Sequence, residues 1–491
     1  MREIKLIPGI SRDENRDYLP GYLKESSFVV NENGNNSQVY PKNLKEYREK
    51  IIDDIVDEWY VYVPDSYDPQ KKTPLVFSMH GGLMTGWGQC VYTSWSHVAD
   101  REGFIVVFPN AHAKGFWQVE FTQKQKECMA ATDIGGTSIL MHALPENIED
   151  GFDVKKVFYL LDRLKEEYNI DEERIYMQGM SFGNAMTCMM ARYFGNKFAA
   201  MAGSAGPTNV ELLWDKDFQH PINQAGPVNI WQTRMHLDQG PPGEIIDVIE
   251  SVKKNREYWL TINECKEYPL IRIEGENNFA FYRGKKANFV FRDVYNRDHG
   301  QTLDDAEYVW DYLFSGCRRR ADGRLYYTET LDKAVGDEVS FAVGNDCRAA
   351  WINNQRVEMP QKSFLKQKIK YHGLNGEALV RGEYVMVAAE FMAKLYAKSY
   401  EEKEGWGQMT LLDGRVVQIA RGCIAATIDN KVRCMLVEPE ERQGQLFISA
   451  EWFLRELLNY QTSSWDGVCY GTDHYSILSC NMAKIIADIC K

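Results

Sequence analysis

Between residue 59 and about residue 313, short apolar runs rich in β-branched residues alternate with longer stretches in which apolar positions recur every three to four residues. A strand buried on both faces reads as a continuous apolar run, whereas a half-buried strand alternates. By that rule WYVYV (59–63) predicts an edge strand. PLVFSM (74–79), FIVVF (104–108), RIYMQG (174–179), FAAMAGS (198–204), VNIWQT (228–233) and FVFRDV (289–294) predict strands covered on both sides. Val157, Leu160, Leu161, Leu164 and Tyr168 share one face of a predicted helix, with Asp153 placed to cap its start. The chain then returns through NIDEER to the strand at 174, as a crossover unit does. The expectation is an α/β fold with a doubly wound, mainly parallel sheet.

Two regions break this rhythm. Residues 115–151 fit no regular element and carry Phe116, Trp117, Phe121, Cys128, a Gly135-Gly136 pair and His142. An insertion of that length in a compact domain is expected to be a lid or a pocket wall. The basic, glycine-containing stretch SGCRRRADGRLYY (315–327) suggests a domain boundary. The expected organisation is an N-terminal extension at 1–57, a main domain at 58–317 and a smaller α+β domain at 318–491. Within the last, VMVAAEFMAK (385–394) and LFISAEWFLR (446–455) match in pattern at an offset of 61 residues, which predicts two related strand–helix units packed together.

Composition narrows the partners. The 491 residues, 44% hydrophobic and 26% charged, suffice for more than one core. Lys+Arg 57 against Asp+Glu 70 gives a net charge of -13, without a basic run to track phosphates, so nucleic acid is excluded as an expected partner. No stretch approaches the ~20 apolar residues of a membrane span. The short apolar run at 6–10 is broken by Pro8 and does not make a signal-peptide core. Eleven scattered cysteines, none in a CxxC pair, read as reduced thiols. The expected location is cytoplasmic as given, or secreted if a leader was removed.

The chemistry concentrates at RIYMQGMSFGNAM, where Gly179 and Gly183 flank Ser181 at minus two and plus two, between a predicted strand and a predicted helix. A serine hydroxyl needs a base to take its proton and a third group to orient that base. Small residues at those two positions let a sharp strand-to-helix turn present the hydroxyl. An earlier strand ends in the turn His80, Gly81, Gly82. The backbone amides of Phe182 and Gly82, with Leu83 as a substitute for Gly82, are therefore the expected oxyanion hole. In such a fold the acid and the histidine follow in loops after later strands. Asp238 follows VNIWQT, and His299 follows FVFRDV ahead of a helix containing Val309, Trp310 and Leu313. Asp215, Asp217 and Glu244 rival Asp238, whereas Asp298 is too close to His299 along the chain. His80 is read as structural, Leu83, Trp117 and His236 as substrate neighbours. No metal and no cofactor are expected, and His372 and His474 form no ligand cluster.

These segments resemble the polyhydroxybutyrate-depolymerase-like and feruloyl or acetyl-xylan esterases of the α/β-hydrolase superfamily. The resemblance rests on PLVFSMHGG, on the stretch from GFDVKKVF to SFGNAM and on DHGQTLDDAEYVWDYL. It implies carboxylic ester hydrolysis by a Ser, Asp, His triad at Ser181, Asp238 and His299, on a small or polymeric ester. Asn184 stands where that family usually has a third glycine, and QTRMHLD replaces its usual approach to the acid. The C-terminal region resembles the copper-amine-oxidase N-terminal-like accessory domain, a label that does not imply copper, and self-association through it is an expectation. A prolyl-oligopeptidase-type peptidase, or a binding scaffold with a vestigial hydrolase domain, are the alternative readings.

Overall fold

The expected strands form the sheet of the first of two compact units, residues 1–267 with 281–335, the second being 268–280 with 336–491. The computed structural model describes residues 2–4, 20–24, 26–27, 41–52, 55–112, 115–131, 144–372 and 376–491. In chain order the strands are β1 (Leu44–Ile52), β2 (Ile55–Tyr62), β3 (Thr73–Met79), β4 (Ile105–Pro109), β5 (Ile170–Met180), β6 (Ala200–Ser204) and β7 (Asn229–Met235). They continue with β8 (Leu270–Glu274), β9 (Asn277–Tyr282) and β10 (Phe289–Val294). Within the first unit the order across the sheet is β1-β2-β4-β3-β5-β6-β7-β10. β1, β2 and β4 pair antiparallel, and every pairing from β4 onward is parallel. β3, β4, β6, β7 and β10 are buried along their whole length, as their unbroken apolar runs require.

The chain builds the sheet one way from β3 and then, from β5, the other way. At such a switch point the loops leaving two adjacent strand ends diverge and leave a crevice. β3 pairs with β5 to Met79 opposite Gly179, so the His80 turn and the Ser181 turn leave the sheet side by side.

Several details differ from the sequence reading. β2 is not an edge strand, because β1, inside the expected N-terminal extension, covers it; Tyr47 stacks on Trp59 with ring centroids 5.3 Å apart. The charges of LKEYREKII hide this strand from an apolar-run search and also protect the sheet edge. Asp153 does not cap the helix Phe152–Glu167; it is buried in the first turn and accepts hydrogen bonds from the amides of His112 (3.1 Å) and Gln118 (2.7 Å), tying down the insertion. The insertion contains a helix, Gln123–Ala130, opened by a Thr122/Gln125 capping box; its sequence QKQKECMA lacks an apolar face to betray it. Gly135, Gly136 and His142 lie outside the described residues.

The boundary expected at 317 falls at 335. The hairpin Cys317–Arg319 with Leu325–Tyr327 stays with the first unit because Arg319 donates to the carbonyls of Phe198 (2.6 Å) and Pro227 (3.0 Å), and Tyr327 to Asn229 (3.0 Å).

The second unit is mostly strands rather than the expected α+β mixture. It holds a five-stranded sheet, a four-stranded sheet and a five-stranded antiparallel meander from Ala397–Lys403 to Lys431–Cys434. Two-residue turns with both φ positive, at Asn353-Asn354, Glu404-Gly405, Asp429-Asn430, Gln443-Gly444 and Asp466-Gly467, are its punctuation. Part of the β8–β9 hairpin belongs here: Asp337 accepts from the Ile273 amide (2.9 Å) and donates its own N–H to Ile271 (2.8 Å), while His474 Nε2 bonds Ile273 O (2.9 Å). The 61-residue echo has a direct structural expression. Its two strands pair antiparallel, Met386 with Ser449, Val387 with Ile448 and Ala388 with Phe447, so residues one offset apart exchange places about the Val387–Ile448 pair. The repeat is a local two-fold, each strand leading into a helix. Among the described residues no helix is long and apolar enough to cross a membrane.

Candidate active site

Ser181 sits between β5 and the helix Phe182–Phe194 with φ 56° and ψ -114°, a conformation that L residues other than glycine rarely adopt. Such strain costs ~1–3 kcal/mol and persists only where the surroundings impose it. Here the Ser181 amide is held by the Ser204 carbonyl at 2.9 Å. The flanking glycines are obligatory for contact reasons: a Cβ on Gly179 would stand 2.6 Å from Thr187 Oγ1, and one on Gly183 would stand 2.7 Å from the His80 carbonyl oxygen. Asn184, the residue in the unusual position, is accommodated by Gly203 of β6, where any Cβ would overlap the Asn184 amide. Asn184 Nδ2 in turn donates to the Gly206 carbonyl at 2.8 Å. The room for the Asn184 side chain is thus made by a glycine on the neighbouring strand.

Neither the Gly82 nor the Phe182 amide finds a backbone acceptor among the described residues. The Leu83 amide does: it donates to Gly115 O at 2.9 Å, which removes Leu83 as a substitute donor. His80 is fully buried, its Nδ1 donating to Gly81 O (2.7 Å) and its Nε2 accepting from the Ala111 amide (2.8 Å). That arrangement requires the neutral ring, and burial pushes its pKa down to about 4. Trp117, 2% exposed, donates to the His80 carbonyl at 2.8 Å and so braces the turn from beneath.

The β7 and β10 loops bring the other two residues in. The turn after β7 is closed by Asp238 N to Met235 O (3.0 Å) and stitched to the β10 loop by Leu237 N to Arg297 O (2.9 Å). His299 Nδ1 then lies 2.8 Å from Asp238 Oδ1, and its Nε2 2.8 Å from Ser181 Oγ. The acid side chain is 6% exposed and the imidazole 49%, so the carboxylate is sheltered while the histidine faces the opening. The hydrogen bond to Asp238 outweighs desolvation and raises the His299 pKa. Of the rival acids, Asp215 accepts from the Gln219 amide, and Glu244 is held by the Val210 amide and the Ser251 hydroxyl.

A cavity of about 330 Å3 opens beside Ser181 and His299, walled by Phe121, Met129, Ala185, Met189, Leu212 and Pro241. None of the three expected substrate neighbours lines it. Trp117 is packed under the turn, Leu83 is 57% exposed on the rim of a separate hollow with Arg48 and His112, and His236 meets Tyr295 edge-on at 4.8 Å. Sequence adjacency to Gly82 and Asp238 suggested Leu83 and His236, but a strand end turns successive side chains to opposite sides; Trp117 was suggested as an aromatic ring of the insertion.

No family model matches the chain. It is 32% identical over 148 residues to a bifunctional acetylxylan esterase/xylanase from Neocallimastix patriciarum, a match covering 30% of this chain and 18% of that protein. It is 29% identical over 159 residues to a dipeptidyl-peptidase 5 from Porphyromonas gingivalis, covering 32% of this chain and 20% of the relative. An acetyl xylan esterase structure from Aspergillus awamori aligns at 16% identity and a TM-score of 0.38, over 55% of this chain and 98% of its own. The chain thus spans about a fifth of the length of these two curated relatives.

The expectation that the insertion walls a pocket holds for Phe121, while Glu120, Gln125 and Met129 beside it were not singled out. Glu120, Phe121, Gln125 and Met129 come from the insertion, Met189 and Arg192 from the far end of the Ser181 helix. Met189 shares one helical stripe with Ala185 and Arg192, which is what brings it to the cavity. A larger cavity of about 610 Å3 lies on the other side of Glu120 and Phe121 and includes none of Ser181, Asp238 and His299.

Proposed function

We propose that the protein is a serine carboxylic ester hydrolase working through an acyl-enzyme, on acetyl or hydroxycinnamoyl esters of plant polysaccharide or on polyester-like substrates. The observation that carries this reading is the unbroken chain Asp238 Oδ1, His299, Ser181 Oγ at 2.8 Å and 2.8 Å, delivered to a strained turn beside two amides without backbone acceptors. With Nδ1–H donated to Asp238, His299 Nε2 accepts the Ser181 proton as Oγ bonds to the ester carbonyl carbon. The oxyanion is received by the Phe182 and Gly82 amides. On collapse the C–O bond to the alcohol breaks and the alcohol leaves with the proton from His299. Water repeats the sequence on the acyl-enzyme and releases the acid.

A peptidase that binds a free amino terminus needs an unengaged carboxylate in the pocket. Glu120 is already held by Arg192 and by the Tyr193 hydroxyl (2.6 Å), and Asp298 on the same cavity accepts from the His299 amide (2.6 Å), so the ester reading is the better supported. The strand-rich second unit is assigned the accessory role that its likeness to the copper-amine-oxidase N-terminal-like module suggests.

Nitrophenyl acetate, methyl ferulate and a hydroxybutyrate oligomer, tested side by side, would rank the acyl classes. Ser181→Ala is expected to abolish turnover of all three, and labelling by a fluorophosphonate, with the circular dichroism spectrum unchanged. Retained turnover would sink the assignment.

A further inference from the structure

His299 is joined to its two partners in different ways. Toward Asp238 the ties are backbone: the Leu237 amide donates to Arg297 O and the His236 amide to Val294 O, both at 2.9 Å, so the acid and the histidine form one unit. Toward Ser181 the histidine's loop sends a side chain, Gln301, which is fully buried. Gln301 Oε1 accepts from Gln178 Nε2 at 2.9 Å and from Ser204 Oγ at 3.3 Å. Gln178 lies on β5 three residues before the serine, and the carbonyl of Ser204 on β6 is the group that holds the Ser181 amide. The Gln301 amide also donates to the hydroxyl of Tyr92 at 3.3 Å, on the helix Gly86–Tyr92 that follows the His80 turn. The strand that carries the nucleophile, the strand that anchors it and the helix beyond the expected oxyanion turn thus meet at one glutamine.

The direction of these bonds is fixed by chemistry. The Trp95 indole can only donate, and its Nε1–H is given to Gln178 Oε1 (2.9 Å), which also takes the Ser78 hydroxyl (3.0 Å). Gln178 therefore faces Gln301 with its Nε2, and Gln301 must answer with its oxygen. Gln301 Nε2 is buried and makes no hydrogen bond, so the hold of this side chain passes through Oε1. Gln178, Ser204, Ser78 and Trp95 are fully buried as well, where a hydrogen bond is stronger than in water.

We propose that Gln301 is a positioning residue of the reaction, fixing the Asp238–His299 pair as a unit at bonding distance from Ser181. This rests on the serine hydrolase reading above. Gln301 does not line the cavity beside Ser181, so it acts on proton transfer and not on the fit of the substrate. Nor does it touch the bond between Asp238 and His299.

The test uses the full chain, nitrophenyl acetate and a fluorophosphonate. Gln301→Met nearly keeps the volume and removes the acceptor. Both acyl-transfer steps need the base, so kcat and the labelling rate should fall roughly ten- to a hundredfold, the cost of misplacing a reacting group by up to about 1 Å, with KM unchanged. The acidic limb of kcat/KM should stay in place, because the bond to Asp238 is intact. A lowered Tm with kcat unchanged marks a merely structural glutamine and overturns the inference; so does a limb that moves. Ser204→Ala deletes one of the two bonds to Oε1 and should lower kcat by a smaller factor, a loss that disappears in the Gln301→Met background. The same loss in both backgrounds overturns the inference. If Gln301→Met does not fold, Ser204→Ala decides alone: a lower kcat at an unmoved limb supports the role, and an unchanged kcat overturns it. If the wild-type protein cleaves no ester and Ser181 takes no fluorophosphonate, the hydrolase reading itself falls and the inference with it.

Discussion

Gly203→Ala is expected to be among the more damaging single-methyl additions in the first unit. The new Cβ would overlap Asn184 Oδ1 and stand 2.8 Å from its Cγ. Asn184 is buried, and moving it breaks both its bond to Gly206 O and the Cys188 Sγ contact at 3.2 Å. Overpacking at ~1–3 kcal/mol and a lost buried hydrogen bond at ~1 kcal/mol put the destabilisation near 2–4 kcal/mol. Asn184→Ala alone removes the hydrogen bond and is expected to lose ~1 kcal/mol. In the double variant the alanine at 203 occupies the space the amide vacated, and replacing glycine recovers ~0.4–1 kcal/mol through the unfolded chain. The pair should therefore lie within ~1 kcal/mol of wild type, a coupling of ~2 kcal/mol or more. Thermal denaturation reads this at roughly 2–4 °C per kcal/mol for a unit of this size. Additive losses, or a Gly203→Ala variant melting with the wild type, would refute the view that Gly203 makes the space that Asn184 fills. Gly206 also borders the pocket, so Asn184→Ala should raise KM for long acyl esters more than it lowers kcat.

Other outcomes follow from the same geometry. Asp238→Asn should lower kcat by about 10⁴-fold, since the histidine loses the tautomer-fixing acceptor. His299 must be neutral to act as base, and its pKa is raised, so the acidic limb of kcat/KM should lie above pH ~6.5; in residual Asp238→Asn activity it should move to lower pH. A limb that stays put would show that another group titrates. His80, folded neutral with its pKa pushed down to about 4, takes up protons more readily when unfolded. Stability should fall as pH drops from ~6.5 toward 4, by ~3 kcal/mol, and urea denaturation at stepped pH would show whether His80→Gln reduces that slope.

The legible features were those written in short range. GMSFG between a strand and a helix gave the turn, and the loops after β7 and β10 gave Asp238 and His299, because each lies at the end of an unbroken apolar run. β1 escaped because an edge strand exposed to water carries charges instead of a run. The meander of the second unit was passed over although Glu404-Gly405 and Asp429-Asn430 mark its hairpins. Leu83 and His236 were expected at the substrate because of their neighbours in sequence, and contact did not follow adjacency.

The succession of buried strands, the sharp turn at Ser181 and His299 were legible in the sequence, because period, glycine spacing and chain order are local properties, whereas the choice of Asp238 over its rivals needed the structure. The pocket was not. Phe121 stands in the insertion expected to wall a pocket, but only the packed fold brings it and Glu120 together with Arg192, three helical turns beyond the serine. Tertiary structure also explained Asn184, since the space it fills was made by a glycine on another strand, nineteen residues later.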